Sequence, residues 1–345
     1  MSIKKLMFQT LSGKPLSFRD PEYKLRLEYM KKMIVKHPQY QEVSDELEEL
    51  HITSKDSVQA SHLNLCGQTG VGKTTVVKEY AKKFPKKHVG SETIIPVLYL
   101  KVPPRLRTPK ALASKILAEM GDLFANSGTD EELGRRIVDF AKDSKMEMLI
   151  LDEFQHLIDR DTQNVLATAS DWLKLLTEEL NIPVVLCGLP ESNDIFEYNE
   201  QIDGRYPRRI LLEPFGFEDQ EQQRSFRMFL KYIDEELPFP EHSNLSDPLL
   251  ASKIHYVTEG VPRYVKDLMI EAAKLSLKRG FDRINEESLH DAFNRITRSN
   301  QRYAINPFLD SKFEYFAELK KQQAKIKAFI DERQSNSKRK RKKTS

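Results

Sequence analysis

"HLNLCGQTGVGKTTVVKEYAKKF", residues 62–84, decides the fold. A short apolar run, a glycine-rich loop and a helical pattern follow one another without a break. Gly67 to Thr74 fits the spacing G-x-x-x-x-G-K-[ST]. Gly67, Gly70 and Gly72 let the backbone curl so that successive N–H groups face phosphate oxygens. Gln68, Thr69, Val71 and Thr75 complete the cradle. Lys73 has the reach for the outer phosphates, and the Thr74 hydroxyl is the type of ligand Mg²⁺ takes. The helix that follows adds its positive N-terminal end. A strand before the loop and a helix after it are the context this spacing requires, so nucleotide binding is expected.

Working outward, short apolar runs alternate with helical patterns. "IIPVLYLKV" reads as a second strand, "MEMLILDE" as a third, "IPVVLCG" as a fourth and "RRILLEP" as a fifth. "TPKALASKILAEMGDLF" and "TDEELGRRIVDFAKDS" are amphipathic helices that Thr108 and Thr129 can cap. "KEYAKKFPKKH" reads as a basic helix whose lysines form a solvated face. The strands are nearly continuous in apolar residues, as strands buried on both faces should be. The expected class is therefore α/β, a five-stranded parallel sheet with helices on both faces. After Pro214 only helical patterns remain. The expected domains are a helical extension over 1–55, in which Asp20 and Pro21 start the first helix, and an α/β nucleotide-binding domain over 56–216. A helical lid over 217–300 and a C-terminal helix with a basic tail over 301–345 complete them.

"MLILDE" places Asp152 and Glu153 at a strand exit downstream of the phosphate loop. Asp152 is the candidate metal ligand and Glu153 the candidate base for an attacking water. No N-K-x-D tetrapeptide, which would read guanine, occurs in the chain, so ATP with Mg²⁺ is the expected nucleotide.

Composition excludes several classes. No run of eighteen apolar residues exists, so no membrane span is expected. "MSIKKLMFQTLSGKPLSF" has no long apolar core, so no secretory leader is expected, and a cytoplasmic location follows. The two cysteines, Cys66 and Cys187, lie in apolar strands and read as core thiols. The six basic residues Lys338 to Lys343 account for the net charge of +3. Without them the chain's 55 basic residues fall to 49 against 52 acidic ones, so any nucleic-acid surface on the body is a local patch.

The phosphate loop, the Asp-Glu pair, "CGLPES" after the fourth strand, the arginine-bearing "QIDGRYPRR" and the lid segment "GVPRYVKDL" together resemble AAA+ ATPases. Over about residues 20–300 the chain is similar, within that superfamily, to the TniB/TnsC group of bacterial transposition regulators. The N-terminal helix and the "DEFQHL" continuation add to that similarity. Helicase loaders and replication initiators share most of these features and form the alternative reading.

The resemblance implies assembly-coupled ATP hydrolysis and a ring or helical filament of copies on double-stranded DNA. It also implies a target-selection protein and transposase subunits as partners. Lys73, Thr74, Asp152 and Glu153 take the roles given above. Arg263 stands where a sensor arginine of the lid would touch the γ-phosphate; the plain alternative is a helix-start arginine paired with an acid. Arg205 stands where an arginine finger would reach a neighbouring subunit's nucleotide, with Arg208 or Arg209 as alternatives. Lys101, Arg105, Arg107 and Lys110 stand on the side of the subunit that would line the DNA; the alternative is a solvated basic loop. The C-terminal tail reads either as a flexible polybasic arm on DNA or as a segment that docks on an acidic partner surface; the resemblance favours contact with the transposase machinery, with the exposed-looking aromatics of "NPFLDSKFEYF" as the anchoring part.

One departure stands out. The fourth strand ends Leu186-Cys187-Gly188-Leu189, without the usual polar residue that helps position water. Either Glu191, Ser192 or Asn193 replaces it, or hydrolysis is slow, as would suit a switch better than a motor.

Overall fold

The computed structural model describes residues 8–55, 57–90, 92–104, 106, 108–158, 163–296 and 304–343. The chain opens with α1 (Pro21–Lys32) and α2 (Pro38–Thr53), followed by β1 (Leu63–Gly67) and α3 (Lys73–Lys82). A ribbon of β2 (Lys87–Val89) and β3 (Glu92–Ile94) precedes β4 (Val97–Lys101), α4 (Pro109–Met120) and α5 (Asp130–Asp143). Next come β5 (Met148–Asp152), α6 (Gln155–Ile158), α7 (Gln163–Leu180) and β6 (Val184–Gly188). A 3-10 turn (Pro190–Asn193), α8 (Asp194–Tyr198), α9 (Glu200–Arg205) and β7 (Arg208–Leu212) close the strand-bearing part. The rest is helical: α10 (Gln220–Glu236), α11 (Pro248–Thr258), α12 (Pro262–Arg279), α13 (Glu286–Arg295) and α14 (Tyr315–Lys343).

Two compact units result. Residues 38–213 form one, and the described residues up to His37 form the other with those from Pro214 onward. The stretch 1–55, read above as one extension, thus divides between the two.

In the first unit all five strands of the main sheet run parallel in the order β4-β5-β6-β1-β7. β1, β5 and β6 are buried at every position, as their unbroken apolar runs require. Leu149, Leu151, Val184 and Leu186, at alternate positions, join one cluster with Leu112 and Ile116 of α4, Ile137 of α5 and Leu173 of α7. Thr108 accepts from the Ala111 N–H at 3.2 Å, and Thr129 forms a reciprocal cap with Glu132, as their positions before the helices anticipated.

The second strand differs from expectation. "IIPVLYLKV" is not continuous, because Pro96 has no N–H for a ladder. Its carbonyl instead accepts from Glu147 and Met148, and the residues before it pair with β2 in a separate antiparallel ribbon. The basic helix also ends early, at Lys82, and Lys87 lies in the ribbon with its side chain in solvent.

The helical unit is built on α10 to α14 with α1, through Phe226, Leu230, Leu268, Met269, Ala272, Leu289, Leu27 and Met30. Arg26 is fully buried there and donates to the carbonyls of Pro238 at 3.0 Å and Gln9 at 2.6 Å and to Glu22 at 2.5 Å. A buried guanidinium is tolerated only when its donors are satisfied in this way. Asp20 stands at the N-cap of α1 and Pro21 at its first position. The Asp20 carboxylate accepts from Ser17 rather than from the helix, so its capping role is corrected. The expected aromatic anchor is corrected too: Phe308 and Phe313 are buried, Tyr315 is half-buried, and Phe316 is exposed. The backbone from Tyr315 to Lys343 is helical, so the basic run continues a helix rather than forming a flexible arm. No helix among the described residues is long and apolar enough to cross a membrane.

Candidate nucleotide site

β1 delivers the phosphate loop. Gly67 pairs with Leu212 of β7, and a Cβ on Gly67 would meet the Leu212 carbonyl oxygen at 2.2 Å, so only glycine fits at that strand exit. Val71 is 3% exposed and pins the loop to the core, while Gln68, Thr69 and Thr75 face solvent. Gly72, with φ +116°, leads into α3 at Lys73. The Lys73 ammonium donates to the carbonyls of Gly67 at 2.6 Å and Gln68 at 3.0 Å. Burial pushes its pKa below the usual lysine value, with Cys187, Glu153 and Asp152 pulling the other way. The Thr74 side chain follows on the first turn of α3, beside N–H groups that an anion can occupy.

Parallel pairing sets Lys101, Asp152 and Cys187 abreast on β4, β5 and β6. Asp152 is 1% exposed. One of its oxygens accepts from the Tyr99 hydroxyl at 2.8 Å and the other from the Glu153 N–H at 3.0 Å. Glu153 adopts φ +58°, a left-handed conformation that costs a non-glycine residue on the order of 1 kcal/mol. Its Oε2 accepts from the Gln155 amide at 2.6 Å, and its Oε1 lies 3.6 Å from the Lys101 ammonium. Burial raises the Glu153 pKa, but the Gln155 hydrogen bond and the charge of Lys101 outweigh it, and the carboxyl sits below its usual range. A base held ionised beside a phosphate cradle is equipped to take a proton from water.

No group of three or more His, Cys, Asp or Glu among the described residues could hold a metal by itself. Mg²⁺ needs less, one or two hard oxygens from protein with phosphates and waters for the rest. The Asp152 carboxylate and the Thr74 hydroxyl are of that type, and Asp152 makes no ion pair among the described residues. The pair therefore fits Mg²⁺.

Ser192 and the Oδ1 of Asn193 are engaged within the chain. The Ser192 hydroxyl donates to the Leu189 carbonyl at 2.6 Å and lies 3.4 Å from the Cys66 sulfur; Asn193 accepts from Asn64 at 2.7 Å and from Cys66 at 3.2 Å. Glu191 is exposed. Both cysteines are buried free thiols whose pKa burial raises, in keeping with a packing role.

The three arginines separate. Arg208 is held by Glu46 at 2.5 Å and Glu49 at 3.0 Å, both on α2. Arg209 lies 4.7 Å from the Phe196 ring centroid and pairs with Asp203. Among the described residues Arg205 pairs with Glu178 at 3.2 Å. Tyr206 anchors this segment: it is fully buried between His62 and Phe196, at 5.1 Å from each ring. Arg263 is exposed in the first turn of α12, in the helical unit, without an ion pair among the described residues. Lys101 and Lys110 are exposed; Arg105 and Arg107 lie outside the described residues. Sequence reasoning missed Tyr99 and Gln155. Tyr99 lies two residues before Lys101 on the same strand face, which was the available signal.

A model of the family described as "Bacterial TniB protein" matches residues 26–214, more than half of the chain. No curated protein matches it. Among solved structures, the ORC2 protein of Aeropyrum pernix in its ADPNP–ADP complexes is similar at a TM-score of 0.55 and 14% identity, over 83% of this chain and 75% of that one. The ORC1 protein of Aeropyrum pernix in complex with DNA gives 0.55 and 18%, over 80% and 70%. Cdc6p from Pyrobaculum aerophilum gives 0.55 and 14%, over 79% and 72%. At these identities the likeness is one of fold.

Proposed function

The chain belongs to the TniB family and is an AAA+ ATPase, and on that premise we propose that it is an ATP-dependent regulator of DNA transposition. ATP binding promotes assembly of copies on double-stranded DNA. A target-selection protein recruits that assembly, the transposase reads it, and hydrolysis takes it apart. The observation that supports this reading most is the family match, which runs from α1 through the phosphate loop and the acidic pair to the end of β7.

The side chains divide the chemistry. Lys73 and the first turn of α3 bind the phosphates, and Lys73 carries charge toward the outer ones. Thr74 and Asp152 would hold Mg²⁺, which supplies positive charge against the phosphate oxygens. Tyr99 fixes the orientation of Asp152. Glu153 takes one proton from water as the water oxygen attacks the γ-phosphorus; the bond to the β,γ-bridging oxygen breaks, leaving ADP and phosphate. Arg205 of a neighbouring copy adds charge at the transferring phosphoryl group, which makes hydrolysis depend on assembly. Arg263, in the first turn of α12, is the candidate sensor arginine of the lid. Lys101 and Lys110, with Arg105 and Arg107, contact DNA phosphates without reading bases.

Electron microscopy of the protein with duplex DNA and a non-hydrolysable ATP analogue tests the proposal. Rings or filaments on DNA are expected with the wild-type chain and not with Lys73→Ala. A wild-type monomer without DNA, or equal assembly by the variant, would overturn it.

A further inference from the structure

The end of the fourth strand has no side chain of its own to offer the water, yet a polar group is present there. Gln155 is the first residue of α6, two positions after the base, and is 8% exposed. Its Oε1 accepts from the Leu189 N–H at 3.2 Å, immediately after β6, and its Nε2 donates to Glu153 Oε2 at 2.6 Å. One amide therefore joins the catalytic carboxylate to the fourth strand.

The surroundings are shaped for that amide. Gly188 leaves the space: a Cβ there would lie 3.1 Å from Gln155 Oε1 and 2.6 Å from Ser192 Oγ. The Phe154 N–H donates to the Cys187 carbonyl at 2.9 Å, a second tie between the turn after β5 and the end of β6. Glu153 itself is in a left-handed conformation, which persists only where neighbours over-determine it. Ser192 and Asn193 are engaged with the Leu189 carbonyl, Cys66 and Asn64.

We infer that Gln155 is the positioning residue for ATP hydrolysis in this chain, the group that stands in for the polar side chain the fourth strand lacks. Its Oε1 registers the strand end, and one Nε2 hydrogen fixes the rotamer of Glu153. The second Nε2 hydrogen has no acceptor among the described residues. That hydrogen would be the donor available to a water beside the same carboxylate. A base oriented in this way starts each turnover in the geometry proton transfer requires, so the residue acts on the chemical step and not on nucleotide affinity.

The inference rests on ATP hydrolysis and not on the transposition role. Steady-state ATPase is measured with full-length protein on duplex DNA for the wild-type chain, Gln155→Ala, Gln155→Glu and Glu153→Gln, with fluorescent-ATP affinity and melting temperature for each. Gln155→Glu is isosteric and keeps the acceptor for Leu189 but loses the donor to Glu153. Both Gln155 variants should lose kcat on the order of a hundredfold, with ATP affinity within about twofold of wild type. A purely structural Gln155 predicts a lowered melting temperature in Gln155→Ala with kcat per folded molecule unchanged; Gln155→Glu also places a second carboxylate beside Glu153, so Gln155→Ala is the variant that separates the two roles. Wild-type-like kcat in Gln155→Ala, or a loss of ATP affinity that accounts for the loss of kcat/KM, would overturn the inference. A wild-type chain as inactive as Glu153→Gln would instead remove the hydrolytic reading beneath it.

Discussion

The Arg205 guanidinium lies 3.2 Å from the carboxylate of Glu178, within its own chain. The Glu178 side chain is 57% exposed and that of Arg205 is 16% exposed, so the acid is open to solvent while the arginine is mostly covered. A triphosphate presented by a neighbouring copy carries more charge than one carboxylate and can take the guanidinium over. Arg208 and Arg209 are more exposed but held by more groups, two acids of α2 for the first and Asp203 with the Phe196 ring for the second. Arg205→Ala should therefore leave ATP affinity of the isolated subunit unchanged and lower turnover in the assembled form by about a thousandfold. Titrating ATPase rate against protein concentration on DNA checks this, and equal rates in the assembled state would move the role to another residue.

Tyr99 should set the Mg²⁺ requirement. Its hydroxyl supplies one of the two hydrogen bonds that orient Asp152. Loss of such an outer partner costs about 10- to 100-fold in metal affinity. Tyr99→Phe should raise the Mg²⁺ concentration for half-maximal ATPase by about tenfold while keeping maximal turnover near wild type. An unchanged Mg²⁺ titration would mean that the hydroxyl serves only packing.

Much of this site is local in the chain, and that is why the sequence displays it. The loop from Gly67 to Thr74 and the pair Asp152–Glu153 need only a strand, a turn and a helix around them. Partners far apart in sequence leave no such trace. Arg208 meets acids 162 and 159 positions earlier, so its charge alone cannot tell a finger from a structural pair. Arg26 satisfies a carbonyl 212 positions away, which is what ties α1 to the helical unit. Gln155 binds an N–H 34 positions on, and "DEFQHL" read by itself gives no reason to single it out. Phe308 and Phe313 sit in a polar-looking segment, and only tertiary packing reveals that they are buried.

Stability should fall as pH drops below neutral. Burial pushes His37, His62 and His255 each down to about 4 from the usual 6.5. His255 has both ring nitrogens engaged, at 2.7 Å from the Phe215 carbonyl and 2.9 Å from the Tyr315 hydroxyl, an arrangement for the neutral ring. These pKa values are depressed on folding, so the stabilisation is complete above about 6.5 and is lost as pH falls toward 4. Between those limits each histidine takes up a proton in the unfolded chain only, at about 1.4 kcal/mol per pH unit. Urea unfolding at pH 7, 6 and 5 should show a falling midpoint, and His255→Phe should have a shallower dependence than wild type. Equal midpoints at pH 7 and 5 would contradict the burial-driven shifts.

DNA binding separates the two lysines on either side of the loop after β4. Lys110 is exposed at the start of α4 and has no acid within 4.0 Å among the described residues. Lys101, with its side chain 56% exposed, lies 3.6 Å from Glu153 and touches both the solvent side of the loop and the base. Contacts to phosphates carry no base preference, so Lys110→Ala and Lys101→Ala should each weaken binding equally on unrelated duplexes. Each should also reduce the slope of log K against log salt by about 0.9. Only Lys101→Ala should in addition change kcat once DNA is saturating, because it alone removes a charge beside Glu153. Binding isotherms from low to moderate salt, paired with ATPase at saturating DNA, measure both effects. A slope that neither substitution alters would place the DNA on another face. A kcat change in Lys110→Ala as large as that in Lys101→Ala would show that the loop acts on hydrolysis through DNA engagement rather than through the 3.6 Å pair.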